Sequence, residues 1–441
     1  MDIYVIMQVI ILFGAIFLGV RLGGMGIGYA GGLGVVLLSL GMGMFPGQIP
    51  WDVILIIMSA IAAICALQLA GGLDYLVRIA ENILRKNPKH INYLAPTVTY
   101  FLTILAGTGH TAFSMIPVIV EVAKSENIKP SVPLSIAVVA SQIGITASPV
   151  SAAVVAMSGF LEPFGVSYPT LLGICISTTF IAVMITAFIM STFTNNDLSS
   201  DPVYQERLAA GYVAPPREKN VDFHLKPGAK KSVLIFLIGI ICIVFYATAI
   251  SKNIGIFGRN DAIVGFMMII AAAITFFCKL DTAQLVNTST FKSGLSACVC
   301  VLGVAWLGDT FVKGHIPEIK AMASSMVTAY PFLLAVAFFF ASTLLYSQAA
   351  TTQALVPAVI LALGITPENT GSVYIIIASF AAVSALFVLP TYPTLLGAVQ
   401  MDDTGSTRIG HLVFNHPFFI PGVLAIAISV ALGFVVAPLM L

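Results

Sequence analysis

Residues 105–119 read LAGTGHTAFSMIPVI, and this stretch decides the fold. It lies inside the apolar region 92–123, whose two arms, 93–105 and 112–123, are separated by a glycine-rich tip at 107–111. A helix rises about 1.5 Å per residue, so each arm is about 20 Å long, which is too short to cross a hydrocarbon core about 30 Å thick. Because glycine is also a poor helix former, the stretch predicts two short helices joined by a turn.

The charges around this region predict that its two ends lie on the same side of a membrane. Arg85 and Lys89 precede it, and Lys124 and Lys129 follow it. Cytoplasmic loops of membrane proteins are enriched in Lys and Arg, so both ends are expected in the cytoplasm. The region 92–123 is therefore predicted to be a re-entrant hairpin.

The overall composition places the chain in a bilayer. Of 441 residues, 59% are hydrophobic and 9% are charged, and the net charge is +1. A soluble domain has about 25% charged residues, so this chain has too few to solvate its surface. The composition excludes a soluble enzyme, a nucleic-acid-binding protein and a disordered chain. It predicts an all-α polytopic membrane protein whose surface contacts the lipid bilayer.

Ten segments are long and apolar enough to be predicted as spans. With the N-terminus outside, 16 of the 20 Lys and Arg residues fall in cytoplasmic loops, so both termini are expected on the extracytoplasmic side. The spans are 3–20, 23–42, 53–71, 132–159, 167–193, 231–251, 261–278, 293–312, 371–399 and 412–439.

When one half of the sequence is shifted by 240 residues, its apolar and polar segments fall on segments of the same type in the other half. A second predicted hairpin, 326–364, then corresponds to the first, and its tip carries Ser347-Gln348 and Thr351-Thr352. A proline-interrupted span follows each hairpin, 132–159 in the first half and 371–399 in the second.

Each half thus has five spans and one hairpin, and an odd number of crossings inverts the second half. The prediction is an inverted repeat of 1–193 and 231–441, joined by a cytoplasmic linker at 194–230. This arrangement is typical of secondary transporters with a site near the bilayer midplane.

Four interruptions in the apolar helices are the predicted binding site. They are named here tip 1 (107–111), break 1 (148–151), tip 2 (347–352) and break 2 (391–394). Helix N-termini at such points offer free N–H groups and partial positive charge, which suits a solute with an anionic group at each end. The candidate residues are Gly107, Thr108, Gly109, His110 and Thr111; Ser148, Pro149 and Ser151; Ser347, Gln348, Thr351 and Thr352; and Thr391, Tyr392, Pro393 and Thr394.

Each feature also has a purely structural interpretation. His110 is either a hydrogen-bonded turn residue or a substrate- or proton-linked group. The prolines are ordinary kinks or part of the site, and the Ser and Thr hydroxyls can bond back to their own helices. No predicted span carries a carboxylate at its centre, which favours an anionic substrate over a cation exchanger.

No metal site and no cofactor is predicted, and Na⁺ and H⁺ are the candidate coupling ions. A membrane-embedded enzyme is the alternative of a different class, and the sequence has neither an HExxH zinc motif nor a GxSG serine motif. A sodium- or proton-coupled carrier of another organic anion is the alternative within transport.

Several long motifs occur in an order that resembles the anaerobic C4-dicarboxylate transporter (Dcu) family, most closely its DcuA branch. The motifs are AGGLDYL (70–76), LAGTGH (105–110), ITASPVSAAVV (145–155), GVAWLGDTFV (303–312), LYSQAATTQAL (345–355), LPTYPTLLGAVQMDDTGSTRIG (389–410) and FNHPFFIPG (414–422). The resemblance covers nearly the whole chain.

The resemblance implies a carrier of the bacterial inner membrane for fumarate, succinate, malate and aspartate. It implies exchange of these dicarboxylates, uptake coupled to cations, and both termini in the periplasm. It also implies kinship with elevator-type transporters, in which a substrate-holding part moves past a homodimeric scaffold.

Overall fold

The computed structural model is helical throughout the residues it describes, as predicted. These are 3–22, 25–49, 51–149, 151–213, 225–246, 258–315, 330–345, 347–389, 392–410 and 414–441. Within these ranges no strand forms, and the extended pairings are two isolated bridges, Ile128 with Asp197 and Thr366 with Asn369. The all-α class is thereby confirmed.

Within the described residues, the first half contains nine α-helices of ten or more residues, and the linker contains one short α-helix. Gly71, in the left-handed region at φ +83°, separates the third from the fourth, and the chain bends by 70° there. The helices are α1 (Ile3–Leu22), α2 (Gly26–Val36), α3 (Trp51–Leu69), α4 (Gly72–Lys86), α5 (Ile91–Ala106), α6 (Ala112–Ser125), α7 (Ser131–Ile143), α8 (Ala152–Leu161), α9 (Tyr168–Phe193) and α10 (Pro202–Ala209).

The second half repeats this order within the described residues. A 3₁₀ segment, Phe380–Phe387, continues the helix that begins at Val373. The helices are α11 (Ala229–Phe245), α12 (Arg259–Cys278), α13 (Ser289–Gly314), α14 (Leu333–Leu345), α15 (Gln348–Ala362), α16 (Val373–Ser379), α17 (Pro393–Met401) and α18 (Phe419–Met440).

The predicted spans fall on helices, with one shifted boundary. Four described segments are long and apolar enough to cross a bilayer, and they correspond to predicted spans 132–159, 167–193, 261–278 and 412–439. The last of these begins late: α18 starts at Phe419, because residues 414–418 form a turn. The remaining predicted spans fall on α1, α2, α3, α11, α13 and the pair α16–α17, apart from residues 23–24, 247–251 and 390–391, which lie outside the described residues.

The outer surface is apolar, whereas the centre is polar at defined points. Leu40, Phe45 and Phe276 are among the large hydrophobic side chains that are more than three-quarters exposed. By contrast, the interrupted segment Ser131–Phe164 is almost wholly buried. An exposed apolar surface of this extent is suited to contact with lipid.

Helices of the two halves pack on each other reciprocally. In the outer part of the molecule, α2 packs on α13, and α3 packs on α12. In the inner part, α6 packs on α17 and α15 packs on α8, while α9 and α18 contact each other. A shift of 240 residues places α2 on α12, α3 on α13, α6 on α15 and α8 on α17, so each contact has a counterpart.

The contact between α2 and α13 is formed by glycines and is unusually close. A Cβ atom added to Gly303 would lie 1.8 Å from the carbonyl oxygen of Gly28. A Cβ atom added to Gly28 would lie 2.0 Å from the carbonyl oxygen of Val299. Only glycine permits the two backbones to approach in this way. We call this contact the scaffold crossing.

The first part of the predicted linker is folded and bound to both halves. The Asp201 carboxylate caps α10 and is buried, with Lys129 Nζ at 2.5 Å and Arg408 Nη1 at 3.2 Å. Lys129 follows α6, and Arg408 follows α17. Asp201 therefore joins the segments that follow tip 1 and break 2. Residues 214–224 of the linker lie outside the described residues.

Candidate functional site

Tip 1 is a tight turn between α5 and α6. Gly107 ends α5 in the left-handed region at φ +67°, and its N–H donates to the Thr103 carbonyl. The Thr111 hydroxyl bonds the Thr103 hydroxyl at 3.0 Å and donates to the Thr108 carbonyl at 3.2 Å. The backbone of His110 lies in the short helix Gly109–Thr111, and its side chain lies outside the described residues.

The start of α5 and the segment after α6 both contact Asn196, which follows α9. Asn92 Nδ2, at the start of α5, is 3.4 Å from Asn196 Oδ1. The Lys129 N–H, which follows α6, donates to the Asn196 carbonyl at 2.7 Å. The chain from Asn92 to Lys129 thus leaves this point and returns to it.

Break 1 separates α7 from α8, and its Ser148 and Ser151 are buried, whereas Pro149 is half-buried. Ser148 has extended backbone geometry, and its hydroxyl donates to the Ile104 carbonyl at 2.7 Å, which ties break 1 to α5. The Ser151 hydroxyl donates to the Ile145 carbonyl and accepts the N–H of Val154, so it caps α8. The carbonyl of Pro149 accepts a hydrogen bond from the Tyr168 hydroxyl.

Tip 2 follows α14, and all of it except Ser347 lies in the first turns of α15, which begins at Gln348. The Ser347 hydroxyl accepts the N–H of Ala350 at 3.2 Å and so caps α15. The buried hydroxyls of Thr351 and Thr352 donate to the carbonyls of Ser347 and Gln348, one turn earlier. The hydroxyls of Thr351 and Thr352 therefore bond back to their own helix, as the structural interpretation expects, and their protons are used within α15.

Break 2 precedes α17. Tyr392 has extended geometry at the helix start and Pro393 is the first helical residue, a position that proline favours. Thr394, the next residue, is completely buried. Thr391 lies outside the described residues.

One residue of α7, Gln142, contacts three of the four elements. Its Nε2 donates to Thr394 Oγ1 of break 2 at 3.1 Å, and its backbone carbonyl accepts from Gln348 Nε2 of tip 2 at 3.2 Å. A Cβ atom added to Gly109 of tip 1 would lie 3.1 Å from the same Nε2. Break 1 follows α7 along the chain after the short 3₁₀ segment Gly144–Ala147. We call this meeting point the break crossing.

Gln142 is absent from the residues selected on sequence. The selection followed helix interruptions, and Gln142 lies inside a regular helix just before one. The signal that could have indicated it is the adjacent polar pair Ser141-Gln142 in an otherwise apolar stretch. Both side chains are completely buried.

A cavity of about 350 Å³ lies beside tip 1. Thr108, Thr111 and Ser114 supply polar groups to its wall, and α3 and α13 contribute Gln68 and Thr290. The Gln68 side-chain oxygen accepts the N–H of Thr290 at 3.2 Å, so this part of the wall is fixed. The other lining residues are Ile64, Leu73, Leu76, Val77, Leu102, Ala106 and Phe113.

The sequence profile described as "Anaerobic c4-dicarboxylate membrane transporter" matches residues 4–441. The chain belongs to this family. Members of the family are multi-pass membrane transporters, so the chain is a transporter and not an enzyme, and the family resemblance noted in the sequence is confirmed.

Curated relatives of this anaerobic C4-dicarboxylate membrane transporter are similar over their full length. The C4-dicarboxylate transporter DcuA of Wolinella succinogenes is 65% identical, covering 99% of this chain and 100% of the relative. DcuA of Escherichia coli K12 is 54% identical over the same shares. The anaerobic C4-dicarboxylate transporter DcuB of Escherichia coli O6:H1 is 36% identical, covering 98% of each chain.

Two solved transporters share the fold of this family member. The YdaH transporter of Alcanivorax borkumensis has a TM-score of 0.55 at 16% identity, covering 99% of this chain and 96% of that one. MtrF of Neisseria gonorrhoeae, described as one of a class of antimetabolite efflux pumps, has a TM-score of 0.54 at 12% identity, covering 85% and 80%.

Proposed function

We propose that this protein carries C4-dicarboxylates across the bacterial inner membrane and binds them at the break crossing. The observation that carries the proposal is that tip 1, tip 2 and break 2 meet at one completely buried residue, Gln142, on the helix that leads to break 1. Helices α6, α8, α15 and α17 begin at tip 1, break 1, tip 2 and break 2. Gln142 contacts three of these elements and precedes the fourth.

The N-termini of the four helices that begin at the tips and breaks favour an anionic solute. The first turn of a helix has N–H groups without partners in the helix, and each N-terminus carries a partial positive charge. Two carboxylates need several donors and no acid in between. Among the described residues within helices α5–α8 and α14–α17, the sole acidic side chain is Glu121, near the end of α6, while Glu126 and Glu368 lie in loops that connect these helices.

The donors proposed for the carboxylates are main-chain N–H groups. The hydroxyls of Ser148, Ser151, Thr351 and Thr352 donate to backbone carbonyls in this state, so they supply acceptor oxygens rather than protons. Thr108 lines the cavity beside tip 1, which makes it the candidate hydroxyl for a direct contact.

The transport mechanism that fits is alternating access by an inverted repeat. The reciprocal packing of α2 with α13 and α3 with α12, and of α6 with α17 and α15 with α8, supports a two-fold relation between the halves. In this proposal α5–α8 and α14–α17 move as an elevator-type unit against a homodimeric scaffold. The hairpins 92–123 and 326–364 enter the membrane and return, and both termini are periplasmic.

The proposed transport modes are exchange and cation-coupled uptake, with fumarate, succinate, malate and aspartate as substrates. The test is counterflow in liposomes: purified protein is reconstituted with succinate inside, and uptake of labelled fumarate is followed. We expect rapid accumulation that requires internal succinate. No counterflow would overturn the substrate assignment. A panel of mono-, di- and tricarboxylate competitors identifies another organic anion, and replacing Na⁺ or collapsing the pH gradient identifies the coupling ion.

A matched pair of glycine variants tests the location of the site. Gly109→Ala adds a methyl group 3.1 Å from Gln142 Nε2, which forces Gln142 to shift. Gly159→Ala, on α8, adds a methyl group with nothing within 4 Å. We expect Gly109→Ala to raise the half-saturating fumarate concentration at least tenfold while Gly159→Ala leaves it unchanged. Equal values for both variants would remove the break crossing as the site.

A further inference from the structure

The side-chain oxygen of Gln142 is buried without a hydrogen-bond donor. Gln142 is completely buried, and no donor among the described residues reaches its Oε1. Its other polar atoms are used, since Nε2 donates to Thr394 and the backbone carbonyl accepts from Gln348. An unsatisfied buried acceptor costs roughly 1–3 kcal/mol, so a ligand that supplies a donor would recover this energy.

The neighbours of the amide fix which end is unsatisfied. The Ser141 hydroxyl donates its proton to the Val138 carbonyl at 2.6 Å, so its oxygen can only accept from Gln142. The Gln142 atom facing it, at 3.4 Å, must therefore be the –NH₂ group. The oxygen is left at the break crossing as an acceptor.

An unsubstituted dicarboxylate has no group that could donate a hydrogen bond to Gln142 Oε1. Succinate and fumarate at neutral pH carry only acceptor oxygens, and the proposed helix N-termini satisfy these. A C4-dicarboxylate with an ammonium or hydroxyl group at C2 brings the donor that Gln142 Oε1 lacks. The energy of one such hydrogen bond corresponds to about a tenfold difference in affinity.

We propose that Gln142 Oε1 accepts a hydrogen bond from the C2 substituent of 2-amino and 2-hydroxy C4-dicarboxylates and so sets the preference for them over unsubstituted ones. This inference rests on the proposed function, because it assumes a dicarboxylate at the break crossing. It assigns Gln142 a specificity-determining role that is separate from its contacts with Thr394 and Gln348.

The test measures inhibition of succinate counterflow by aspartate, malate and unlabelled succinate. Gln142→Met has a similar length but no amide oxygen, and it should weaken aspartate and malate about tenfold relative to succinate. Gln142→Glu keeps an acceptor and adds a negative charge, so it should strengthen aspartate relative to both malate and succinate. These opposite shifts are not expected from a merely structural role.

Thr394→Val is the matched control. It removes the partner of Gln142 Nε2 and leaves Oε1 in place, so all three inhibitors should change in parallel. A second measurement uses the unchanged protein: 2-methylsuccinate has a methyl group where malate has its hydroxyl. Malate should inhibit about tenfold more strongly, and this holds even if the Gln142 variants fail to fold.

Three outcomes overturn the inference. The first is an inhibitor ratio that stays within threefold of the wild-type ratio in both folded Gln142 variants. The second is equal inhibition by malate and 2-methylsuccinate. The third is a change in the Na⁺ dependence of counterflow that the Gln142 variants show equally for all substrates, because this would mean that Oε1 binds a cation. Absence of succinate counterflow in the wild-type protein would instead overturn the proposed function, so the two failures are distinguishable.

Discussion

Two of the contacts between the halves of the molecule, the scaffold crossing and the break crossing, are built differently. At the scaffold crossing, Gly28 and Gly303 bring two backbones together with no side chain between them. At the break crossing, a glutamine amide bridges interrupted helices, and one of its acceptors is unused. The first contact is complete in itself, whereas the second has an unmet hydrogen bond.

The difference shows how a transporter of this kind can combine rigidity with binding. Close glycine packing leaves no space and few alternative arrangements, so the scaffold crossing resists change. Interrupted helices satisfy their polar groups through a few replaceable hydrogen bonds. A ligand can exchange with these bonds at small net cost because each is worth about 1 kcal/mol.

The largest expected effect comes from filling the scaffold crossing. A Cβ atom at position 303 would lie 1.8 Å from the Gly28 carbonyl oxygen. Gly303→Val adds this atom and two methyl groups, so α2 and α13 must separate. We expect a loss of more than about 3 kcal/mol in the free energy of unfolding. The measurement is the yield of monodisperse protein in detergent and its thermal unfolding. Gly32→Val, with nothing within 4 Å, is the control. Equal stability of the two variants would mean that this contact is not rigid.

An intermediate effect is expected at Asp201, which joins the segments after tip 1 and break 2. Asp201→Asn should destabilise the protein by about 2 kcal/mol, because Lys129 and Arg408 lose their shared carboxylate. Glu206→Gln, an exposed neighbour on α10, should have almost no effect. Thermal unfolding in detergent measures both variants. A difference below about 0.5 kcal/mol in the free energy of unfolding between the two variants would show that the break crossing does not depend on the ion pairs of Asp201.

The pH dependence of this contribution has a defined sign. Burial alone would raise the pKa of Asp201, but hydrogen bonding and the charge of Lys129 outweigh it and hold the pKa below the ordinary value of 3.8. The contribution is therefore complete above about pH 4 and is lost as the pH falls through the lowered pKa. The stability difference between wild type and Asp201→Asn should be constant from about pH 8 to pH 5.

The smallest effect concerns access to tip 1. Ser114 is exposed in the cavity beside this tip, whereas Ser135 on α7 is buried. In a cysteine-free background, Ser114→Cys should react with a membrane-impermeant maleimide added from the cytoplasmic side, and succinate should slow the reaction several-fold. Ser135→Cys should not react. Labelling of Ser114→Cys that succinate does not alter would separate this cavity from the site.

The helical class and most helix boundaries could be predicted because they depend on local patterns. The helix Tyr168–Phe193 matches the predicted span 167–193 almost residue for residue, since its ends are marked by Ser167 and by polar residues after Phe193. The span predicted from residue 412 was too long at its start. Phe414 and Phe418 extend the apolar pattern, but Asn415 and His416 lie between them, and the Asn415 carbonyl accepts the N–H of Gly410.

The composition of the break crossing could be predicted only in part. Glycine and proline mark tip 1 and the two breaks, whereas tip 2, which has neither residue, was predicted from the repeat of the two halves. Which side chains meet there depends on the packing of distant helices, and Gln142 is 206 residues from Gln348 and 252 from Thr394. No local pattern carries that information.

The bonds of Gln142 to Thr394 and Gln348 also have an evolutionary consequence. A substitution at position 142 changes the surroundings of positions 348 and 394, so these three positions are expected to be inherited as a set across related carriers. Lineages that exchange the glutamine for another residue should carry compensating changes at one of the other two. Such coupled replacements would mark the points in the family's history at which cargo preference diverged.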